Sequence, residues 1–345
     1  MWARPGRSSD ATEGRGRTSA SRPIALKQRA AALVAAAVLL TACSSGTTDG
    51  TAEVVSPDPS TPRPTAVVTP TADPETARLQ ALAQLAEQKA AVLPTASPSK
   101  STIAADAPLL GGDISWPQCP KGMGIPERRT LGLPMPLPEA QYVVVGLTNG
   151  PGFTQNPCLA SQVDWIRQHH LLASAYAVVS QPDAAAVKEH GTRGPFDGAT
   201  DLGALANTGY QQALANVATM RAAGLTSPIV WMDVEHVPDF EWSSDVEANG
   251  AVVQGAARGY ADAGYDIGVY STPALWRDVV GDLALKAPEW RAAGQTSQAE
   301  ALERCGDDWQ IQGGDAVLGQ WVEGQRDLDV TCPGVTEIGQ WFQQY

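Results

Sequence analysis

Asp233 and Glu235 stand two residues apart in IVWMDVE, behind an apolar run. Asp327 and Asp329, again two apart, close QRDLDV, and Asp113 closes GGDIS. Burying an unpaired charge is costly, so acids at the ends of apolar strands belong at an open rim where they are used. Crowded carboxylates push one another's pKa values apart. One kept protonated serves as a general acid. One kept ionised stabilises a cation, attacks as a nucleophile or orients the substrate. That chemistry suits cleavage of a glycosidic bond, with Glu235, Asp233, Asp113 and Asp327 as catalytic candidates. Rings near the same strand ends would stack on sugars: Trp116, Tyr176, Trp242, Tyr270, Trp276, Trp290 and Trp321. Core packing is the competing reading for Trp231 and Trp290. Asp329, one pair further along its strand, joins the substrate-binding set.

Other chemistries find little support. There is no G-x-S-x-G, no H-E-x-x-H and no Cys-His signature. His169 and His170 end a helical pattern, where a cation meets the helix dipole. His236 follows the acid pair and is expected to face away from Glu235. The acids themselves offer oxygen ligands of the kind that suit calcium or magnesium, which is the alternative use of the cluster. The reading adopted here has no metal and no cofactor.

The acids need a scaffold that brings distant strand ends together. Short apolar β-rich runs at 109–115, 141–147, 171–179, 227–235 and 265–271 alternate with helical patterns at 158–170, 210–224 and 244–264. Gly224 and Gly264 read as helix C-terminal glycines. Further strands are expected at 288–294, 309–312, 318–324 and 327–330. Repeated β-α units with continuous apolar strands imply a parallel sheet covered by helices. No glycine-rich nucleotide loop follows a strand, so a closed barrel is favoured over an open doubly wound sheet. The predicted fold is an α/β, TIM-like barrel of seven or eight parallel strands over residues 108–345. Alternation places Ile229, Trp231, Asp233 and Glu235 on the inner face, and Val230, Met232 and Val234 on the outer one. The C-terminal strand ends form the mouth, where such barrels build active sites.

The preceding residues have another character. Residues 1–42 read as a secretory signal: a basic lead, then an apolar run from Ala30 that is shorter than the ~20 residues a membrane-spanning helix needs. LTAC resembles a bacterial lipobox, which makes Cys43 the expected lipidation site and the outer face of the cell membrane the expected location. Residues 43–107 are Ser/Thr/Pro/Ala-rich and cannot form a core; a short helix is expected near 74–93. As a coil this tether would span about 45 Å. The whole chain carries 24 Lys and Arg against 37 Asp and Glu, a net charge of −13; without residues 1–42 the balance is 17 against 35. A surface that acidic argues against nucleic acid. Four cysteines remain after Cys43, and an even number in an exported chain suggests two disulfides in one of three connectivities.

The ordered set of motifs resembles glycoside hydrolase family 25, the lysozyme-like N-acetylmuramidases. GGDISWPQ resembles its first strand, with Gln118 after the Asp and Ser. Asp233 and Glu235 match its Asp-x-Glu, DIGVYSTPALW and PEWRAAG its later strands, and Asp327 and Asp329 its terminal pair. The likeness covers about 109–334 in order, and SWPQC also resembles a stretch of exported proteins of actinobacterial type. It implies a muramidase cutting the β-1,4 bond of peptidoglycan. Glu235 would then be the proton donor, Asp233 would stabilise the acetamido group or the developing cation, and Asp113 and Asp327 would position sugar and acids. In the expected barrel, Cys119 and Cys158 lie in neighbouring loops, as do Cys305 and Cys332, so these are the expected pairs. Four stretches depart from the pattern: LTNGPGF (147–153), AYAVVSQP, the insertion at 183–207, and GQWVEGQ (319–325).

The expected function is therefore a wall-glycan hydrolase, monomeric and membrane-tethered. The alternative is a catalytically inactive glycan-binding barrel. A third reading is a structural lipoprotein whose tether helix recruits a partner.

Overall fold

The computed structural model describes residues 104–237 and 239–345. The expected signal, Cys43, the tether and its helix lie outside them. Eight strands close a barrel in chain order: β1 (Leu110–Ile114), β2 (Tyr142–Gly146), β3 (Leu172–Val178), β4 (Ile229–Asp233), β5 (Asp266–Ser271), β6 (Glu289–Ala292), β7 (Ala316–Glu323) and β8 (Arg326–Thr331). Strands β1 to β7 are parallel, as expected. Strand β8 runs antiparallel to both β7 and β1, which corrects the all-parallel expectation. The reason is the turn. Glu323 pairs with Arg326, leaving only Gly324 and Gln325 between the strands, at φ +59° and +64°. Two residues with positive φ make a hairpin, whereas a parallel return needs a crossover of a dozen or more.

Among the described residues six helices cover the outside: α1 (Leu159–His169), α2 (Ala184–His190), α3 (Asp201–Ala222), α4 (Val246–Asp262), α5 (Pro273–Val280) and α6 (Gln298–Glu303). Thr200, Asp245, Thr272 and Ser297 accept backbone N–H groups at the starts of α3 to α6. Helix α3 begins nine residues before the pattern predicts, so part of the insertion at 183–207 is helical. The expected strand at 309–312 does not form. Residues 311–314 instead wrap the buried Glu289 carboxylate, which accepts from Ile311 N (2.8 Å), Gln312 N (2.8 Å) and Gly314 N (3.1 Å). Arg291 donates to that carboxylate at 2.8 Å and to the carbonyls of Arg304 and Gly306. This ion pair holds a loop over the wall at β6. Among the described residues, no helix is long and apolar enough to cross a membrane.

Alternation along the strands sorts two cores. Val143, Val145, Val230 and Met232 face outward against Val163, Ile166, Val217 and Val252 of the helices. Tyr142, Val144, Ile229, Trp231, Trp290 and Leu318 fill the barrel interior. Gly111 and Gly268 make room for the large rings: a Cβ there would lie 2.5 Å from Tyr142 and 2.2 Å from Trp231. The C-terminal segment seals the floor. Ile338 and Phe342 join the interior cluster, and β9 (Gln343–Gln344) pairs with the start of β3. The entering chain docks on the same floor, where Ala104 bridges Glu337 and Ala105 N donates to Thr336 O at 3.0 Å. The expected disulfides Cys119–Cys158 and Cys305–Cys332 both form.

Candidate active site

Strand β4 sets the first acid. Ile229 and Trp231 lie in the interior, so Asp233 tops the same inner face. Asp233 is buried and its Oδ1 has no hydrogen-bond partner. Burial first, and then Glu235, hold its pKa well above the usual carboxylate range. It therefore takes up a proton more readily than the polar-partnered, ionised Asp of the sequence reading. Glu235 stands two residues on, just past the end of the strand, and is half-buried. Its segment is pinned by Trp242 Nε1, which donates to Glu235 O at 3.0 Å, and by Ser271 Oγ, which donates to Val234 O at 2.7 Å. Burial and the Asp327 charge raise the Glu235 pKa to about 6, while Arg128 and His236 pull against them. The His236 ring meets Asp278 at 2.7 Å and Glu241 at 3.4 Å.

The reversed β8 supplies the facing acids. Its N-terminal end lies at the mouth, so Asp327 pairs in register with Asp113 of β1, and Asp329 sits one layer lower, opposite Gly111. Gln320 Nε2 donates to Asp113 Oδ2 at 2.8 Å, and Tyr270 Oη donates to Gln320 Oε1 at 2.7 Å. Burial holds the Tyr270 phenol protonated, so this chain runs in one direction, from β5 through β7 to β1. Trp290 Nε1 donates to Asp329 Oδ1 at 2.8 Å. Burial raises Asp113, Asp327 and Asp329 as well, and for Asp113 the charges of Asp327 and Asp329 add to it. Asp233 also acts on Asp113, so the five carboxyls form one electrostatic unit. Among the described residues, no three His, Cys, Asp or Glu side chains converge in a metal-holding group. Within this unit Glu235 stands at the rim, beyond the end of β4, with its pKa raised to about 6.

No model of a known protein family matches the chain, and no curated protein matches it. Solved structures do. The modular autolysin LytC from Streptococcus pneumoniae, in complex with a synthetic peptidoglycan ligand, is 13% identical, with a TM-score of 0.39 over 66% of this chain. This chain spans only 47% of that one. A family GH25 lysozyme from Aspergillus fumigatus is 16% identical, covering 68% of this chain and 98% of that one, with a TM-score of 0.41. A bacterial lysozyme from Streptomyces coelicolor is 14% identical over the same shares, with a TM-score of 0.43.

The sequence-predicted substrate residues divide. Trp116, Tyr176 and Tyr270 are half-buried around the mouth. Trp290 is 1% exposed in the barrel interior, edge-on to Tyr176, and holds Asp329 instead of meeting a sugar. Asp329 is fully buried, beneath the acids that can reach a ligand. Trp321 faces the other way: alternation from Leu318 and Gln320 puts it outside, packed with Ala301, Leu328 and Val330. Gln118 is turned inward, its Oε1 accepting from Ser115 N at 2.9 Å. Trp242 and Trp276 are buried, with their indole N–H groups on backbone carbonyls.

Two site residues escape the sequence reading. Gln320 was legible, since it lies two residues from the inward Leu318. Arg128 was not. It sits on a one-turn helix, Pro126–Arg128, within the long β1–β2 loop, and only a tertiary tie brings it to the mouth. That tie is the departure LTNGPGF. Buried Asn149 accepts from Ile125 N and donates to Arg128 O, both at 3.0 Å.

Proposed function

We propose that this domain hydrolyses a β-1,4 bond in a peptidoglycan-type wall glycan, with Glu235 as the proton donor. The observation that carries the reading is the gradient across the cluster. Buried acids lie below, and the one at the rim has a pKa near 6, the range a general acid needs. Half-buried Trp116, Tyr176 and Tyr270 offer ring faces for sugars at the same mouth. The motif order shared with glycoside hydrolase family 25 supplies the substrate class.

In this mechanism Glu235 gives its proton to the glycosidic oxygen, and the electron pair of the breaking C–O bond goes to that oxygen. Water adds hydroxide to the anomeric carbon and returns a proton to Glu235. Asp327 is half-buried and less strongly shifted than Asp113 or Asp233, so it ionises first of the three and faces the developing cation. Asp233, its pKa raised by burial and then by Glu235, faces the acetamido group. Asp113, fixed by Gln320, orients the sugar. The protein is placed on the outer face of the cell membrane by a lipid on Cys43, and acts as a monomer on the adjoining wall.

A second reading is favoured by one observation: Asp233 Oδ1 is buried without a hydrogen-bond partner, and burial raises the pKa of this carboxyl. A barrel without a fixed anion could bind glycan and not cut it. Incubation of the protein with purified peptidoglycan separates the two. Wild type is expected to release muropeptides with new reducing ends by mass spectrometry, and Glu235→Gln to release them far more slowly. Retention on the glycan without any release from wild type would select the binding reading.

A further inference from the structure

Asp329 is fully buried, and hydrolysis by Glu235 leaves it without a part. Its surroundings are nevertheless specific. Asp113 on β1 and Asp329 on β8 both point into the barrel, and the antiparallel register sets Asp329 opposite Gly111, two residues from Asp113. On one face of an antiparallel pair such diagonal neighbours lie within reach of each other. Gly111 puts no side chain between them, and the Tyr142 ring fills the space beside it. The two carboxyls are hydrogen-bonded to each other. Ionised carboxylates only accept, so this bond exists only with a proton on one of them.

The remaining oxygens show which one. Asp329 Oδ1 accepts from Trp290 Nε1 at 2.8 Å. Among the described residues no N–H or hydroxyl donates to its Oδ2, which is buried. Left ionised, that oxygen would carry charge in the interior with no donor to offset it. Protonated, it is itself a donor. Asp113 is furnished the opposite way. Gln320 Nε2 donates to its Oδ2 at 2.8 Å, and Tyr270 Oη fixes the Gln320 amide by donating to Oε1 at 2.7 Å. Burial raises both acids, and at Asp113 the charges of Asp327 and then Asp329 add to it. The pair therefore keeps a proton where a lone exposed carboxyl would lose it.

We propose that Asp113 and Asp329 share one proton, held on Asp329 Oδ2 and donated to Asp113, and that Asp329 is thereby the positioning residue for Asp113. The shared proton stands on its own; only the use made of Asp113 rests on the hydrolytic reading. With Gln320 on one side and Asp329 on the other, ionised Asp113 has two fixed donors, so its carboxylate plane is held. The single charge of the pair is delivered to the member nearer the mouth, the one that orients the sugar. This proton stays in place during the reaction, and Glu235 remains the donor to the glycosidic oxygen.

The test uses the whole protein. Infrared spectra at neutral pH, in light and heavy water, compare wild type with Asp329→Asn and Asp113→Asn. Wild type is expected to show the carbonyl band of a protonated carboxyl, shifted by deuterium, that is lost in Asp329→Asn. In Asp113→Asn the band is expected to move in frequency and to remain, because only its acceptor has changed. Persistence of the band in Asp329→Asn, or its loss in Asp113→Asn, overturns the assignment. Hydrolysis reads the positioning role. Asp329→Leu has no donor, and its kcat/KM is expected to fall on the order of ten- to a hundredfold, the worth of a hydrogen bond to a charged group. Asp329→Asn still offers an N–H to Asp113 and an acceptor to Trp290, and is expected to recover most of that loss. The pH profile adds a readout that mere packing would not move. Asp113 is faced by Asp327 and Asp329 from β8, by Asp233 from β4, and by the Tyr142, Tyr176 and Tyr270 phenols, which burial keeps protonated. A hydrogen bond to the ionised form favours it, so losing the donor is expected to move the acid limb of kcat/KM to higher pH in Asp329→Leu, with Asp329→Asn bringing it back. A limb that stays in place in Asp329→Leu, folded by circular dichroism, refutes the positioning role whatever the rate. If Asp329→Leu does not fold, or if wild type cuts no glycan and the hydrolytic reading fails, the infrared comparison still decides the shared proton.

Discussion

At the residue scale the site is governed by burial of like charges. Glu235 must hold a proton to act, and its pKa is about 6. Activity that depends on this acid is expected to fall as pH rises through about 6, measured as kcat/KM against pH. Glu235→Gln keeps shape and hydrogen bonding but has no transferable proton. It is expected to lower the rate by about 10²–10⁴-fold without lowering the melting temperature. Asp329 gives a prediction for stability itself. Its pKa is raised in the folded chain, so its carboxyl stays protonated to higher pH there than in the unfolded chain. Below the unfolded value the group has no effect; as pH rises above it, the unfolded state gains by ionising and the fold is weakened. Asp329→Asn keeps the acceptor for Trp290 Nε1. It is expected to raise the melting temperature at pH 7 and to change it little at pH 3. Because Asp329 lies beneath the reacting groups, hydrolysis is expected to suffer less than in Asp233→Asn.

At the element scale, strands β4 and β8 show what a sequence discloses. In IVWMDVE the period of two is local, so the inner placement of Ile229, Trp231 and Asp233 could be read directly. The direction of β8 was also written in the chain, in the two residues Gly324 and Gln325, but the repeated β-α rhythm outweighed it. The aromatic type of Trp321 suggests a sugar-stacking ring, but alternation turns it outward; Gln320 beside it holds the inward position. Arg128 had no local signal at all. Its place depends on Asn149, more than twenty residues away in the chain and in another loop. The loop over β6 was hidden for a similar reason, since the pattern at 309–312 gives no hint that backbone N–H groups there serve Glu289. Arg291→Ala would leave that buried carboxylate without its charge partner. It is expected to cost about 3–5 kcal/mol in chemical denaturation, with early protease cleavage near residues 304–314.

At the scale of the whole molecule, the barrel is closed by strands and then locked by two cross-links. Cys305–Cys332 joins the loop after α6 to the end of β8, with 27 residues of sequence separation. Replacing both cysteines by alanine is expected to cost about 3–4 kcal/mol, read as a fall in the denaturant midpoint. Cys119–Cys158 fastens the loop that carries Arg128, so its loss is expected to affect the cleft as well as stability.

The docking of the entering chain on the floor decides how the barrel bears a mechanical load. A pull applied ahead of residue 104 meets the Ala104–Glu337 bridge and the Ala105–Thr336 hydrogen bond first, and then Leu109 N on Thr331 Oγ1. Only after these does tension reach β1, which is bonded along both edges to β2 and β8. Asp113 is near the far end of that strand. The domain is thus gripped at one pole while its acids lie at the other, and strain applied ahead of residue 104 meets the floor before it can alter the spacing of the carboxyls.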